Sequence, residues 1–439
     1  MSIDSFLARV ALPSVLGALE RWHEGRLTLE LPDGSVHRFG RSGEEPHARL
    51  VVRSPALFRR VLLQADVGFG ESYTAGEWET DDLPGLLFLL ARNEDALGVG
   101  GALSRVFGLG NDLLHRLRRN TRRGSRRNVS AHYDLSNDFF RLFLDAETMT
   151  YSSALFEDAG QALADAQRNK YRVIADKARL APGDHVLEIG CGWGGFALYA
   201  AGERGCRVTG ITISERQYEL ARARVADAGL SHRVDLRLLD YRDLAGRYDA
   251  VVSIEMFEAL GREHWPLYFR KIEEVLSPRG LAVVQTIAVP DHRFLAYERH
   301  CDWIQKHVFP GGVLASVHHV TGAMIEDTRL NVHHLEDIGP HYALTLARWR
   351  EAFLARRDDA RALGFDERFL RTWDYYLSCC QAYFEARRIG NLQIVLTRPG
   401  NESLGAVPAA RGAAAGGERA MAAGRPAPSA TGGREEVAA

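Results

Sequence analysis

The chain has 439 residues, 46% of them hydrophobic and 26% charged, and its 55 basic and 57 acidic side chains leave a net charge of −2. That length allows two or three domains with a sizeable core, and the near-neutral balance excludes an overall field for nucleic acid or any other highly charged partner. Five cysteines without a C-x-x-C pair read as a reduced, cytoplasmic chain lacking a zinc site, no stretch reaches the roughly 18 apolar residues that span a bilayer, and an N-terminus with Asp4 and Arg9 is a poor signal peptide.

Residues 26–53 alternate as strands do, with Pro32-Asp33-Gly34 as a turn, and helical patterns follow around 57–64 and 83–92. A small α+β domain is expected over residues 1–114. Its stretch GFGESYTAGEW (68–78), followed by DDLPGLL, partly resembles sterol-carrier-like lipid-binding domains; a plain structural domain is the alternative. Residues 115–127 carry seven arginines. They read as a solvated linker or, from Arg116 to Arg127, as a patch for an anionic membrane surface. No aromatic is interleaved for base stacking, so nucleic acid is not expected. From 128 to 398 short apolar runs alternate with helical stretches, which predicts a mostly parallel sheet covered by helices. The helix 264–276 places Trp265, Tyr268, Phe269, Ile272, Val275 and Leu276 on one face. A helical block at about 293–388 precedes a last strand, NLQIVLTR. The Ala/Gly/Pro-rich tail, 399–439, is expected to be disordered.

The segment Val186–Phe196 reads VLEIGCGWGGF, an apolar strand ending in a glycine-rich turn. Gly190, Gly192 and Gly194 follow a G-x-G-x-G-G pattern rather than the G-x-G-x-x-G of a dinucleotide binder. The strand carries Glu188, and the next strand lacks the carboxylate that would bind a ribose about 20 residues on. These features favour S-adenosylmethionine over a nicotinamide cofactor. Ser214 and Gln217 also fit a capping box at a helix start.

Further segments then fall into one pattern: HYDLSNDFFRLFLDAETMTYSSALFED (132–158), GITISERQ, DYRDL (240–244), SIEMFEALG (253–261), FPGG (309–312) and HYALTLARW (341–349). Together with the glycine loop they resemble the cyclopropane-fatty-acyl-phospholipid synthases and their mycolic-acid and methyl-branching relatives. The resemblance implies a class I S-adenosylmethionine-dependent methyltransferase domain, Rossmann-like, with a helical insertion and a smaller N-terminal domain. It implies a substrate with a cis double bond in a phospholipid acyl chain, which attacks the sulfonium methyl to give a carbocation. Loss of a proton from the new methyl closes a cyclopropane; loss from a neighbouring carbon is read as leaving a methylene branch, which a partner reductase would convert to a methyl branch. A bicarbonate is the expected proton acceptor.

By the same resemblance, Tyr151 and Ser152 face the cofactor's amino-acid end, Gly190, Gly192 and Gly194 its backbone cradle, Thr212 and Gln217 the ribose, and Asp240 and Tyr241 the adenine. Glu258 is expected to orient the bicarbonate, with Tyr342, Ser153, Gln285 and the Ile287 backbone around it. An acid within M-F-E-A-L is costly to bury unless partnered, which points to Glu258 independently. Phe294, Tyr297, Trp303 and Phe309 are candidates to stabilise a cation by their ring faces. Ser153 and Gln285 replace the family's usual cysteine and histidine. A glutamine cannot relay a proton as a histidine can, so an altered deprotonation step is expected. The enzyme would visit the inner membrane surface from the cytoplasm. A methyltransferase for a soluble small molecule and a silent lipid-binding protein are the alternatives, and the oligomeric state, a homodimer included, is left open.

Overall fold

Alternation of buried and open side chains builds the first sheet. In β1 (Arg26–Glu30), Leu27 and Leu29 point inward. Asp33 accepts from the Ser35 backbone and hydroxyl, tightening the turn into β2 (Val36–Phe39). The sheet has the order β2-β1-β3-β4, with β3 at His47–Val52 and β4 at Trp78–Glu79. It is flanked by α1 (Ile3–Leu19), α2 (Ala56–Thr74) and α3 (Leu83–Leu97). Helix α2 is kinked at Ala65, whose φ of 47° lies in the left-handed region. The computed structural model describes residues 3–97 and 136–404, with side chains from 11 onward. The arginine run 115–127, the boundaries at 114 and 128 and nearly all of the expected tail lie outside the described residues.

After α4 (Asn137–Phe140) and α5 (Leu163–Lys177) comes the larger sheet. Its strands are β5 (His185–Ile189), β6 (Arg207–Thr212), β7 (Val234–Leu238), β8 (Tyr248–Ile254), β9 (Leu276–Ala288), β10 (Asn331–Asp337) and β11 (Gly390–Thr397). They lie in the order β10-β11-β9-β8-β5-β6-β7. Strands β5 to β9 run parallel, whereas β11 and β10 pair antiparallel. The connecting helices are α6 (Gly195–Gly202), α7 (Glu215–Asp227) and α8 (Trp265–Val275), the last burying the predicted aromatic face. The insertion supplies α9 (Asp291–Arg299), α10 (Trp303–His307), α11 (Val317–Asp327), α12 (Gly339–Ala355), α13 (Arg357–Ala362) and α14 (Glu367–Glu385). It is not helical throughout: β10 forms the sheet edge. Every residue of β10 is exposed, so no buried-face alternation marks it in the sequence.

The strand order reverses between β6 and β8 on either side of β5, and in such sheets ligands bind beyond the strand carboxyl ends at that point. The small sheet shares a core with the helices of the insertion, whereas the large sheet has a buried cluster of its own, with Leu187, Ile211, Val251 and Ile394. Leu27, Leu29, Leu50 and Trp78 belong to the same buried cluster as Trp349, Leu370 and Trp373. A polar tie crosses it. Tyr73 donates to Asp374 at 2.8 Å, and Arg350 donates to the other Asp374 oxygen at 2.7 Å. The Arg371 guanidinium lies 4.1 Å from the Tyr73 ring centroid. Glu402–Leu404 form a single 3-10 turn.

The Tyr73 bond joins α2 to α14 and is buried, so its loss leaves an Asp374 oxygen short of a donor. Tyr73→Phe is expected to lower stability by about 1–2 kcal/mol, measured by urea unfolding of the variant against the wild type.

Candidate active site

Strand β5 ends at Ile189, and the glycine loop turns there because Gly190, Gly192 and Gly194 take φ of 83°, 51° and 81°. A Cβ on Gly190 would come within 3.0 Å of Met256, while none would meet anything at Gly192, whose bare backbone faces open space. Around this turn a cleft is lined by Tyr151, Ser152, Glu188, Gly190, Gly192, Thr212, Gln217, Asp240 and Tyr241. Gly194 is not in the lining; it is the left-handed N-cap of α6 and packs behind the loop against Ala221. Arg224 fastens the opposite wall, donating to the carbonyls of Thr148, Trp193 and Glu147.

The polar groups of the cleft are partly committed to one another. Thr212 donates to Gln217 at 2.9 Å, and Ser214 caps α7 as expected. Asp240 caps the 3-10 turn 241–243 and forms a buried ion pair with Arg242 at 2.7 Å. Ser152 receives a hydrogen bond from Lys170 at 2.6 Å. Lys170 is fully buried, and burial pulls its pKa down to about 7. Burial also raises the Glu188 carboxyl well above its usual range, with Lys170 pulling the other way. One Glu188 oxygen is buried without a partner in the cleft wall. An orphaned acceptor beside a bare glycine backbone fits a ligand with a cationic amino-acid end, as S-adenosylmethionine has. The sequence did not single out Lys170, which lies among the polar residues of α5.

A second cavity, of about 1280 Å³, meets this cleft at three shared wall residues, Tyr151, Glu255 and Ala259. It exceeds the roughly 300–1,000 Å³ of most small-molecule sites. Leu27, Leu29, Leu50, Leu57, Phe58 and Val61 of the N-terminal region line it, as do Glu258, Ile287 and Tyr342. Of the four aromatic candidates, Tyr297, Trp303 and Phe309 reach its wall. Phe294 does not: it stacks on His319 and packs against Trp265.

Where the cavities meet, the expected anion site takes a different form. Ser153, Gln285 and Tyr342 converge as the sequence predicts, but on Glu255. Its Oε1 accepts from the Ser153 backbone at 3.1 Å, from Gln285 at 2.8 Å and from Asn391 at 2.7 Å; its Oε2 accepts from Tyr342 at 2.8 Å. The Ser153 hydroxyl points elsewhere, to the Ala154 carbonyl. Sheet register assembles this ring. Gln285 of β9 lies opposite Ile254 of β8 and Gln393 of β11, and Asn391 lies opposite Ile287. Gln393 donates to the Gln285 carbonyl oxygen, fixing which end of the amide faces Glu255. The donors expected for a bicarbonate are therefore engaged by a side chain of the protein, and the residues do not fit that ion. Glu255 and Asn391 are the site residues that sequence reasoning missed. The available signal was a second acid in S-I-E-M-F-E, at a position whose φ of 50° suits glycine.

Glu258 takes another part. Its Oε1 accepts from the Ile287 backbone at 2.5 Å, and its Oε2 is buried without a partner. Burial, then the neighbouring Glu255, pushes its pKa up to about 8, so it is protonated at neutral pH. Burial and then Glu255 also hold the Tyr342 phenol well above its ordinary value, keeping it a donor. Two carboxyls three residues apart are thus split in role, one gripped by four donors, the other held neutral.

Because the folded state keeps on Glu258 a proton that the unfolded chain releases above about pH 4.5, this group makes stability fall as pH rises from there towards 8. Glu258→Gln mimics the protonated form. Its stability is expected to match the wild type near pH 5 and to exceed it by roughly 1–3 kcal/mol near pH 9, read from denaturant melts across that range.

Known proteins resemble this chain. The family described as mycolic acid cyclopropane synthetase matches residues 120–394. The chain is 42% identical over 381 residues to tuberculostearic acid methyltransferase UfaA1 of Mycobacterium tuberculosis, covering 85% of this chain and 88% of that protein. It is 35% identical over 368 residues to cyclopropane-fatty-acyl-phospholipid synthase of Escherichia coli K12, covering 81% and 89%. Among solved structures, the cyclopropane synthase MmaA2 from Mycobacterium tuberculosis aligns with a TM-score of 0.58 at 30% identity, over 62% of this chain and 98% of that one. The mycolic acid cyclopropane synthase CmaA1, complexed with SAH and CTAB, aligns with a TM-score of 0.57 at 32% identity, over the same shares. The chain is therefore an S-adenosylmethionine-dependent methyltransferase and belongs to the mycolic acid cyclopropane synthetase family.

Proposed function

We propose that the protein methylates the cis double bond of an unsaturated phospholipid acyl chain and that Glu255 takes up the proton released, giving a methylene-branched chain. The observation that carries this reading is the Glu255 carboxylate, ringed by four donors where the cofactor cleft meets the large apolar cavity. S-adenosylmethionine, when bound, supplies an electrophilic methyl group. The remaining work falls to this chain. The apolar cavity keeps water from a cation on the acyl chain, and Tyr151 and Tyr342 line its wall.

The double-bond electrons form the new carbon–carbon bond, and the sulfur keeps the pair of the bond that breaks. The positive charge falls on the other former alkene carbon. Proton loss from a neighbouring chain carbon would leave a methyl-branched alkene, so a methylene branch needs one step more. A hydride moves between the two former alkene carbons, and the added methyl then gives up a proton. Glu255 accepts that proton; Tyr342 stays protonated and steadies the carboxylate. Proton loss before the hydride moves would close a cyclopropane instead. A separate reductase would turn the methylene into a methyl branch. The relative at 42% identity is named a methyltransferase for tuberculostearic acid, not a cyclopropane synthase, which favours the branched product. No helix among the described residues is long and apolar enough to cross a membrane, so the lipid must be met at a surface. The arginines at 116–127 would contribute there.

The test is the product. The protein is expressed in a bacterium that makes unsaturated phospholipids but no cyclopropanes, with methyl-deuterated methionine as label. Ozone cleaves a methylene to a ketone and spares a ring, so mass spectrometry after ozonolysis distinguishes the isomers. Ketone is expected; labelled ring fatty acid alone would reject the branched product. Glu255→Gln should slow turnover by roughly 10²- to 10⁴-fold, the range for loss of a general base, with cofactor affinity little changed. Glu255→Gly relaxes the backbone and empties the four-donor site, so added bicarbonate should restore part of its activity. Wild-type activity should be indifferent to removal of dissolved carbonate; a large loss there would sink the role of Glu255.

A further inference from the structure

Far along the chain from the carboxylates, three arginines from separate segments converge on the last turns of α3. Arg21 donates to the Leu97 carbonyl. Arg388 donates to the Ala91 carbonyl at 2.8 Å and pairs with Asp95 at 2.7 Å. Arg293, in α9, places one nitrogen 2.7 Å from both oxygens of Glu94. All five charged side chains line the large cavity. Asp95 is 75% exposed and Arg388 only 15%, so the cluster marks a place where the cavity wall reaches the surface.

Three arginines and two acids make up the cluster; His292 lines the same wall, as do Asp66 and Asp302, whose carboxyls burial pushes up to about 7 and about 6. Arg293 has an unspent donor. Its Nη2 serves Glu94, whereas its Nη1 is buried with no partner. A guanidinium carries five N–H groups, and leaving buried ones unmade is costly unless a ligand accepts them. An oxyanion in the cavity would meet that need. Arginine suits phosphate oxygens because its planar fork can donate two parallel hydrogen bonds.

We infer that this cluster anchors the phosphodiester of a diacyl phospholipid whose chains occupy the apolar cavity, with Arg293 as the specificity-determining donor. The inference rests on the acyl-lipid reading above and adds to it the headgroup and the residues that select it. A neutral diacylglycerol with the same chains would fill the cavity and leave the cluster unsatisfied.

The test compares two substrates presented in vesicles of saturated ether phospholipid: a dioleoyl phosphatidylglycerol and dioleoylglycerol. The wild type should methylate the phospholipid with at least tenfold higher kcat/KM. Arg293→Met should raise KM for the phospholipid by roughly tenfold to hundredfold, the loss of a charge-assisted bond, with kcat changed far less. Arg293→Lys should restore part of the preference. Equal methylation of both lipids by the wild type would overturn the inference while leaving the acyl-lipid reading intact; that comparison needs no variant and stands even if Arg293→Met fails to fold. Methylation of neither lipid would instead reject the acyl-lipid reading. Stabilisation of the wild type but not Arg293→Met by millimolar inorganic phosphate, with no lipid preference, would assign the cluster to free phosphate and overturn the headgroup role.

Discussion

A carboxyl group partly withdrawn from water between two cavities is held in place only when donors replace the water it has lost. At Glu255 that condition is met by four donors from four parts of the chain, the loop at Ser153, strands β9 and β11, and the first turn of α12. The surrounding architecture is subordinate to it. Asn391 and Gln285 reach Glu255 only because β11 runs antiparallel to β9 in a single register. Tyr342 reaches it because its ring is held by Phe384 on one side and Trp349 on the other. The backbone bends into the left-handed region at Glu255, a conformation that costs about 1–2 kcal/mol for a residue with a Cβ. The four hydrogen bonds outweigh that strain.

The same carboxylate explains its neighbour. Two acids in S-I-E-M-F-E cannot both carry charge in one apolar pocket, and the donors are unequally shared. Glu255 has four and Glu258 has the Ile287 amide, so burial drives the proton onto Glu258. The site therefore sets a carboxyl held by four donors beside a neutral acid. Gln285, where a histidine was expected, has its amide turned onto Glu255, whereas Ser153 reaches that group through its backbone and sends its hydroxyl to the Ala154 carbonyl.

The N-terminal region is part of this chemistry through the core rather than through any single contact. Its sheet packs into the same apolar cluster as α12 and α14, and its leucines line the cavity that Glu255 and Glu258 also line. A long apolar chain needs such a surface because each buried CH₂ contributes about 0.8 kcal/mol only if it leaves water. The arginines grouped on the end of α3 give that apolar space a polar margin, so one cavity offers the two environments that an amphiphile requires.

Much of this could be read from the residues in order. The glycine loop, the alternation of strands and helices, the amphipathic face of α8 and the capping of α7 are local patterns, and local patterns obey periodicity and backbone sterics that a sequence displays. The residues Tyr151, Ser152, Thr212, Gln217, Asp240 and Tyr241 were named through the family resemblance of their segments, and the structure sets all six on the wall of one cleft. What only the tertiary structure decided was partnership. Asn391 is 136 residues from Glu255, and nothing in NLQIVLTR marks it as a donor. Lys170 looks like one more charge on a polar helix until burial between the loop at Ser152 and the glycine loop changes its state. Strand β10 is exposed at every position and shows itself only by pairing. Glu255 was visible as a letter and hidden as a function, because which acid receives the donors is set by the register of three strands, a long-range property that no window of sequence contains.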